Sequence, residues 1–195
     1  MPRHNDHPLS PLTGAAQEAQ TIARFFNAAP LLGPQATETA VKARLDGADL
    51  LHFATHGIFQ VGDRDVLDAW LALAPDPQNG EDGKLTLGEI FDRPLAAQIA
   101  VLSACDTGKG RITGEGVIGL ARAFLRAGTP TVVASLWKVP DQQTAMLMEE
   151  FYRQLLAGRD RAEALRLAQL SIRARYPNPF YWAAFVIIGD GDAPY

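Results

Sequence analysis

The chain has a single cysteine, Cys105, and a histidine 49 residues before it, His56; together these residue types can perform acyl transfer. A thiol attacks as its thiolate, and a free cysteine with a pKa of about 8.5 is only partly ionised at neutral pH. A histidine within reach can accept the thiol proton and later protonate a leaving amine. A lone cysteine after an apolar strand is more often a buried, inert core residue. The position of His56 therefore decides between the two interpretations.

His56 and Cys105 each follow an apolar run, in "ADLLHFATHG" and "QIAVLSA", and such runs are typical of strands buried on both faces. Amphipathic helices alternate with the apolar runs, which predicts an α/β fold with a mostly parallel sheet and helices on both faces. In such sheets the chemistry lies at the carboxyl ends of the strands, where both residues fall. The predicted strands are 48–57, 68–74, 98–104, 130–137 and 182–190; the predicted helices are 14–28, 37–45, a short one capped by Thr86, 115–128, and two that begin near Asp141 and Asp160.

Acyl transfer also needs hydrogen-bond donors for the oxyanion of the tetrahedral intermediate. The backbone N–H groups of Gly57 and Cys105 are the natural candidates, and Gly57 lets a substrate approach the backbone closely. A second histidine, His52, lies in mid-strand on the same side as His56. We interpret His52 as a core histidine or as a residue that supports the site.

Composition excludes several other classes of protein. The net charge of −4 gives no basic surface for nucleic acid, and no apolar run approaches the ~18 residues of a membrane span. The first residues, "MPRHNDHPLSPLTG", lack the apolar core of an export signal, so a cytoplasmic location is expected. The glycine-rich loop 107–116 fits neither a Walker loop nor a dinucleotide fingerprint. No metal-ligand spacing is found, and no metal or cofactor is expected.

Four segments together resemble the CHAT domain, a family of caspase-like cysteine peptidases in the same clan as caspases, separases and gingipains. They are "LLHFATHG", "VLSACDTG", "GEGVIGLARAFLRAGTPTVVASLWKVPD" and "YWAAFVIIGD". The resemblance covers roughly residues 9–190. It implies a caspase–haemoglobinase-like fold, a three-layer αβα sandwich, with peptide or protein substrates and a role in bacterial defence or regulated cell death.

The resemblance also implies roles for individual residues. The catalytic dyad falls on His56 and Cys105, and the acidic residue that usually follows the cysteine is Asp106. The "SLW" segment resembles the one that shapes the specificity pocket of separases, which makes Trp137 and Asp141 candidate substrate contacts. A carboxylate at Asp141 favours a basic residue before the scissile bond. Lys138 occupies a position where the family often has proline, and its positive charge alters the charge of this pocket.

The expected organisation is a flexible leader, 1–8, and one peptidase domain, 9–195. Family members commonly carry further strand segments before the position of residue 9, often preceded by tetratricopeptide repeats. A domain that lacks them would leave an unpaired sheet edge, which favours association with another chain. We expect a regulatory protein or a fused sensor or repeat domain as partner. Two functions stay open: a cysteine endopeptidase, and a non-catalytic interaction module on the same fold.

Overall fold

The computed structural model describes residues 3–4, 7–9, 12, 14–59, 69–103 and 114–195. Cys105 and Asp106 lie outside the described residues. In chain order the elements are β1 (Arg3–His4), β2 (His7–Pro8), α1 (Ala15–Phe25), α2 (Glu38–Leu45), β3 (Leu50–Phe53), β4 (Gly57–Phe59), β5 (Ala69–Ala72), β6 (Lys84–Thr86), α3 (Leu87–Phe91), β7 (Ile99–Leu102), α4 (Gly114–Ala127), β8 (Thr131–Ser135), α5 (Asp141–Leu156), α6 (Arg161–Arg175) and β9 (Phe185–Gly189).

The main sheet has the strand order β3-β7-β8-β9. The pairs β3–β7 and β7–β8 are parallel, and β9 runs antiparallel to β8 at one edge. The prediction of a mostly parallel sheet is therefore confirmed. β3 forms the other edge and, within the described part of the chain, pairs only with β7.

Alternate residues of the central strands supply two apolar cores, one on each face of the sheet. Ile99 and Val101 of β7 and Val133 of β8 pack with α1, α5 and α6. Ala100 and Leu102 point the other way and pack with α2, α3 and α4. All five side chains are almost fully buried, which explains the continuous apolar runs in the sequence. The three layers confirm the predicted αβα class.

A second, antiparallel sheet of order β4-β5-β6 was not predicted, and it corrects the predicted strand 48–57. The parallel strand ends at Phe53, and the chain re-enters a strand at Gly57 in a different sheet. The physical reason lies between them. The backbone carbonyl of His56 accepts a hydrogen bond from the N–H of Ala72, in β5, at 2.9 Å, and this bond draws the chain away from β7.

Several helix starts agree with the sequence because a side chain caps the first turn. Thr37, Thr86 and Asp160 each accept a hydrogen bond from the backbone N–H three residues on, at the starts of α2, α3 and α6. Thr86 and Glu89 form a complete capping box. Among the described helices, none combines the length and the apolar character that crossing a bilayer requires.

Candidate functional site

His56 lies in the connection between β3 and β4, where the two sheets meet. The residue is only 4% exposed. Two hydrogen bonds to Ala72 fix this connection: the hydroxyl of Thr55 donates to the Ala72 carbonyl, and the Ala72 N–H donates to the carbonyl of His56 at 2.9 Å. The second sheet therefore determines where the backbone of His56 lies at the carboxyl end of β3.

The same pairing determines the direction of the Gly57 N–H group. In an antiparallel pair, opposed residues alternate between sharing backbone hydrogen bonds and sharing none. His56 is bonded to Ala72, so the next pair, Gly57 opposite Leu71, is a non-bonded one. The Gly57 N–H consequently points away from β5, on the side where β4 is the last strand of its sheet among the described residues. Gly57 is buried, so this group can donate only to a ligand that enters this edge of the sheet.

The register of β3 against β7 has a constant offset of 49 residues, from Leu50 opposite Ile99 to Phe53 opposite Leu102. The separation of His56 and Cys105 in the sequence is the same 49 residues. Adjacent strands lie about 4.8 Å apart, so the chain leaves β3 after Phe53 and leaves β7 after Leu102 at neighbouring points of one sheet edge. The described residues end at Ser103, two residues before Cys105, so the roles of Cys105 and Asp106 stay predictions.

His52 faces the helices, in keeping with its interpretation as a core histidine. Its Nδ1 lies 2.9 Å from the hydroxyl of Tyr152, in α5, and its Nε2 lies 3.1 Å from Oε1 of Glu18, in α1. The side chains of His52 and Glu18 are 7% and 5% exposed. Burial, and then the negative charge of Glu18, raises the pKa of Tyr152 well above its ordinary value. The hydroxyl therefore stays protonated, and the three groups join β3 to both helices.

Trp137 and Asp141 both follow β8 at the carboxyl edge, but they have different neighbours. The indole Nε1 of Trp137 donates to the carbonyl of Phe180 at 2.9 Å. Asp141 is the first residue of α5, and its Oδ2 accepts a hydrogen bond from the backbone N–H of Gly14 at 2.8 Å. The Asp141 carboxylate therefore has a hydrogen-bond partner just before α1. Its role as a pocket acid stays a prediction.

An apolar groove of about 1040 Å³ follows the outer side of β3. Its wall runs along the strand from Asp49 to His56, and α1, α2 and the segment 28–36 between them supply most of the opposite side. Ala, Leu and Pro side chains dominate this lining, and its polar residues are Arg44, Asp49, His52, Thr55, His56 and Tyr195. The groove therefore connects the open edge of the main sheet with the histidine of the candidate site.

A charged cluster away from this edge was missed by sequence reasoning. Lys42 Nζ lies 2.7 Å from Glu38, 2.9 Å from Glu81 and 2.6 Å from Glu89. The three carboxylates are close enough to one another to hold a metal ion, but the ammonium group occupies that position. Only the Glu38–Lys42 pair, four residues apart on one helix, was readable from the sequence.

Comparison with known proteins agrees with the resemblance seen in the sequence. The family model of the CHAT domain matches residues 2–190. The chain is 29% identical over 211 residues to tetratricopeptide repeat protein 28 of Homo sapiens and 27% identical over 220 residues to tetratricopeptide repeat protein 28 of Mus musculus. Each match covers 92% of this chain but only 8% and 9% of those proteins, so the chain spans less than a tenth of their length.

Proposed function

The chain belongs to the CHAT domain family, and from this premise we propose that it is a cysteine endopeptidase with a His56–Cys105 dyad. His56 takes the thiol proton, and the Cys105 sulfur forms a bond to the carbonyl carbon of a peptide. The C–N bond of the tetrahedral intermediate then breaks, and His56 gives its proton to the leaving amine. Water hydrolyses the remaining thioester, which releases the acid and restores the thiol.

The pairing of β3 with β7 supports this proposal. The two strands are parallel neighbours, and His56 and Cys105 each follow one of them in the sequence, three residues beyond the paired residues Phe53 and Leu102. The direction of the Gly57 N–H supports it further, because an oxyanion needs such a donor. We propose that Gly57 and Cys105 supply the two N–H groups. Loss of one such donor typically costs ~2.7–4 kcal/mol of transition-state stabilisation.

We propose further that activity is low until a partner protein, or a repeat domain fused to this one, releases it in the cytoplasm. The relatives support a fused arrangement, since both are named for tetratricopeptide repeats and extend far beyond the matched region. Asp106, Trp137 and Asp141 are proposed to contact the substrate.

The test is cleavage of a peptide library by the wild type, Cys105→Ala, His56→Ala and the control His4→Ala. We expect cleavage by the wild type and the control only. Cleavage that persists in Cys105→Ala would exclude this cysteine as the nucleophile.

The second candidate function is a binding module without catalysis, and the groove along β3 is the observation that favours it. A thiol-reactive peptidyl probe separates the two functions. An endopeptidase is labelled faster than a free thiol, and the labelling is lost in Cys105→Ala. A binding module reacts no faster than the free thiol.

A further inference from the structure

The carboxyl edge of the main sheet presents an exposed aromatic ring. Phe180 belongs to a 3-10 turn, Pro179–Tyr181, that comes shortly before β9. The first residue of β9, Phe185, lies opposite Ser135, the last residue of β8, so the turn lies at the end of the sheet where β8 terminates. Phe180 is 46% exposed, whereas most large apolar side chains of the described residues are buried.

Three hydrogen bonds fix the backbone of Phe180 and its neighbour Trp137. The indole of Trp137 donates to the Phe180 carbonyl at 2.9 Å, and the Phe180 N–H donates to the side chain of Asn178 at 3.0 Å. The hydroxyl of Ser135 donates to the carbonyl of Trp137 at 2.8 Å. The Phe180 ring meets the ring of Tyr181 edge to face, with centroids 5.4 Å apart. Phe180 is therefore exposed while it belongs to an ordered turn.

The charges next to Trp137 give no net attraction for a basic ligand. In the segment 137–141 the charged residues are Lys138, which is exposed, and Asp141, whose carboxylate accepts a hydrogen bond from the backbone N–H of Gly14. The positive charge of Lys138 therefore offsets the attraction of the Asp141 carboxylate for a cationic side chain. A large uncharged side chain would instead gain apolar burial and aromatic contact.

We propose that Trp137 and Phe180, here named the aromatic shelf, bind a large apolar or aromatic side chain of the substrate. This inference rests on the proposed endopeptidase function. β8 is the neighbour of β7, and β9 lies one strand further from β7. The shelf is therefore roughly 5–10 Å from the end of β7, the strand that precedes Cys105 in the sequence. An extended peptide advances about 3.3 Å per residue, which places the recognised side chain one to three residues from the scissile bond. This apolar preference differs from the basic preference expected from the sequence, which stays a prediction.

The test compares Phe180→Ala and Phe180→Leu with Phe91→Ala in peptide cleavage. Phe91 is a matched control because it is also 46% exposed but lies on α3. We expect Phe180→Ala to lower kcat/KM about 10-fold for peptides with Phe or Leu at the recognised position, and less than about 2-fold for peptides with Ala there. Phe180→Leu should keep most of the preference, and Phe91→Ala all of it.

Binding of the same fluorescent peptides to Cys105→Ala, with and without Phe180→Ala, separates the two proposals. Cleavage whose preference is unchanged in Phe180→Ala overturns the shelf and leaves the endopeptidase intact. No cleavage and a Cys105 that is labelled no faster than a free thiol in the wild type, together with Phe180-dependent binding of apolar peptides, support the shelf and overturn the endopeptidase. A preference for Arg or Lys that survives Phe180→Ala overturns the shelf, as does a lack of both cleavage and binding.

Discussion

Replacement of Lys42 by methionine should destabilise the protein strongly, and more so at neutral than at acidic pH. The Lys42 ammonium contacts three carboxylates, of which Glu38 is 1% exposed while Glu81 and Glu89 are partly exposed. Removal of one member of a buried ion pair costs about 3–5 kcal/mol, because the other charge stays buried without a partner. Water can reach two of the three carboxylates, so we expect the free energy of unfolding to fall by about 2–4 kcal/mol at pH 7.

The pH dependence follows from the carboxyl groups. Burial raises the pKa of Glu38 above its ordinary value, although Lys42 and the Gly83 N–H partly oppose this. Without Lys42 the pKa of Glu38 rises further, and a carboxyl whose pKa is raised by folding destabilises the folded state at pH values above it. Burial would also raise the pKa of Glu89, but hydrogen bonds from Lys42 and Thr86 outweigh it and lower the value to about 2. The contribution of Glu89 to wild-type stability is therefore lost as the pH falls from about 4.5 toward 2, whereas the variant regains stability as the pH falls through the raised pKa of Glu38.

Urea unfolding followed by circular dichroism between pH 2 and pH 8 measures this difference. The control is Lys84→Met, which removes an exposed lysine 3.6 Å from an exposed Asp82 and should cost less than about 1 kcal/mol. The difference in the free energy of unfolding between the wild type and Lys42→Met should decrease as the pH falls. A difference that stays constant with pH, or one no larger than that of the control, would show that the ammonium group is not what stabilises these carboxylates.

Three further predictions concern the residues around the candidate site and its supports. Thr55→Val removes the hydroxyl that donates to Ala72, so peptide cleavage should fall about 10-fold in kcat while the unfolding midpoint changes little; equal losses of activity and stability would contradict this positioning role. Tyr152→Phe leaves Nδ1 of His52 without its partner and should lower the free energy of unfolding by about 1–3 kcal/mol, measured in urea. Thr86→Ala removes the cap of α3 and should cost about 1 kcal/mol, whereas Thr86→Ser should restore most of it.

The sequence predicts the layers of the fold because the signals are local and repeated. Buried strands appear as continuous apolar runs, and Thr86 and Asp160 mark helix starts through hydrogen bonds that span only three residues. The second sheet could not be predicted in this way. β4 and β6 contain three residues each, too few for an alternating pattern to be recognised, and their pairing joins distant parts of the chain.

The candidate site could also be predicted only in part from the sequence. That β3 and β7 are neighbours is seen only in the structure, but that His56 and Cys105 each follow a buried strand could be predicted from the apolar runs and the rule for carboxyl ends. The direction of the Gly57 N–H could not, because it depends on the alternation of hydrogen bonds between β4 and β5. The last strand is predicted over 182–190 but begins only at Phe185, and the turn before it, capped by Asn178, leaves the ring of Phe180 exposed.

The most direct test of the central claim is the rate of alkylation of Cys105 as a function of pH, in the wild type and in His56→Ala. Cys105 is the only thiol, so the rate reports on one residue. If His56 and Cys105 form a dyad, the wild-type rate rises with an apparent pKa well below the ordinary value of about 8.5, and His56→Ala moves it back to that value or above. The same profile in both proteins would contradict the dyad and, with it, the proposed endopeptidase.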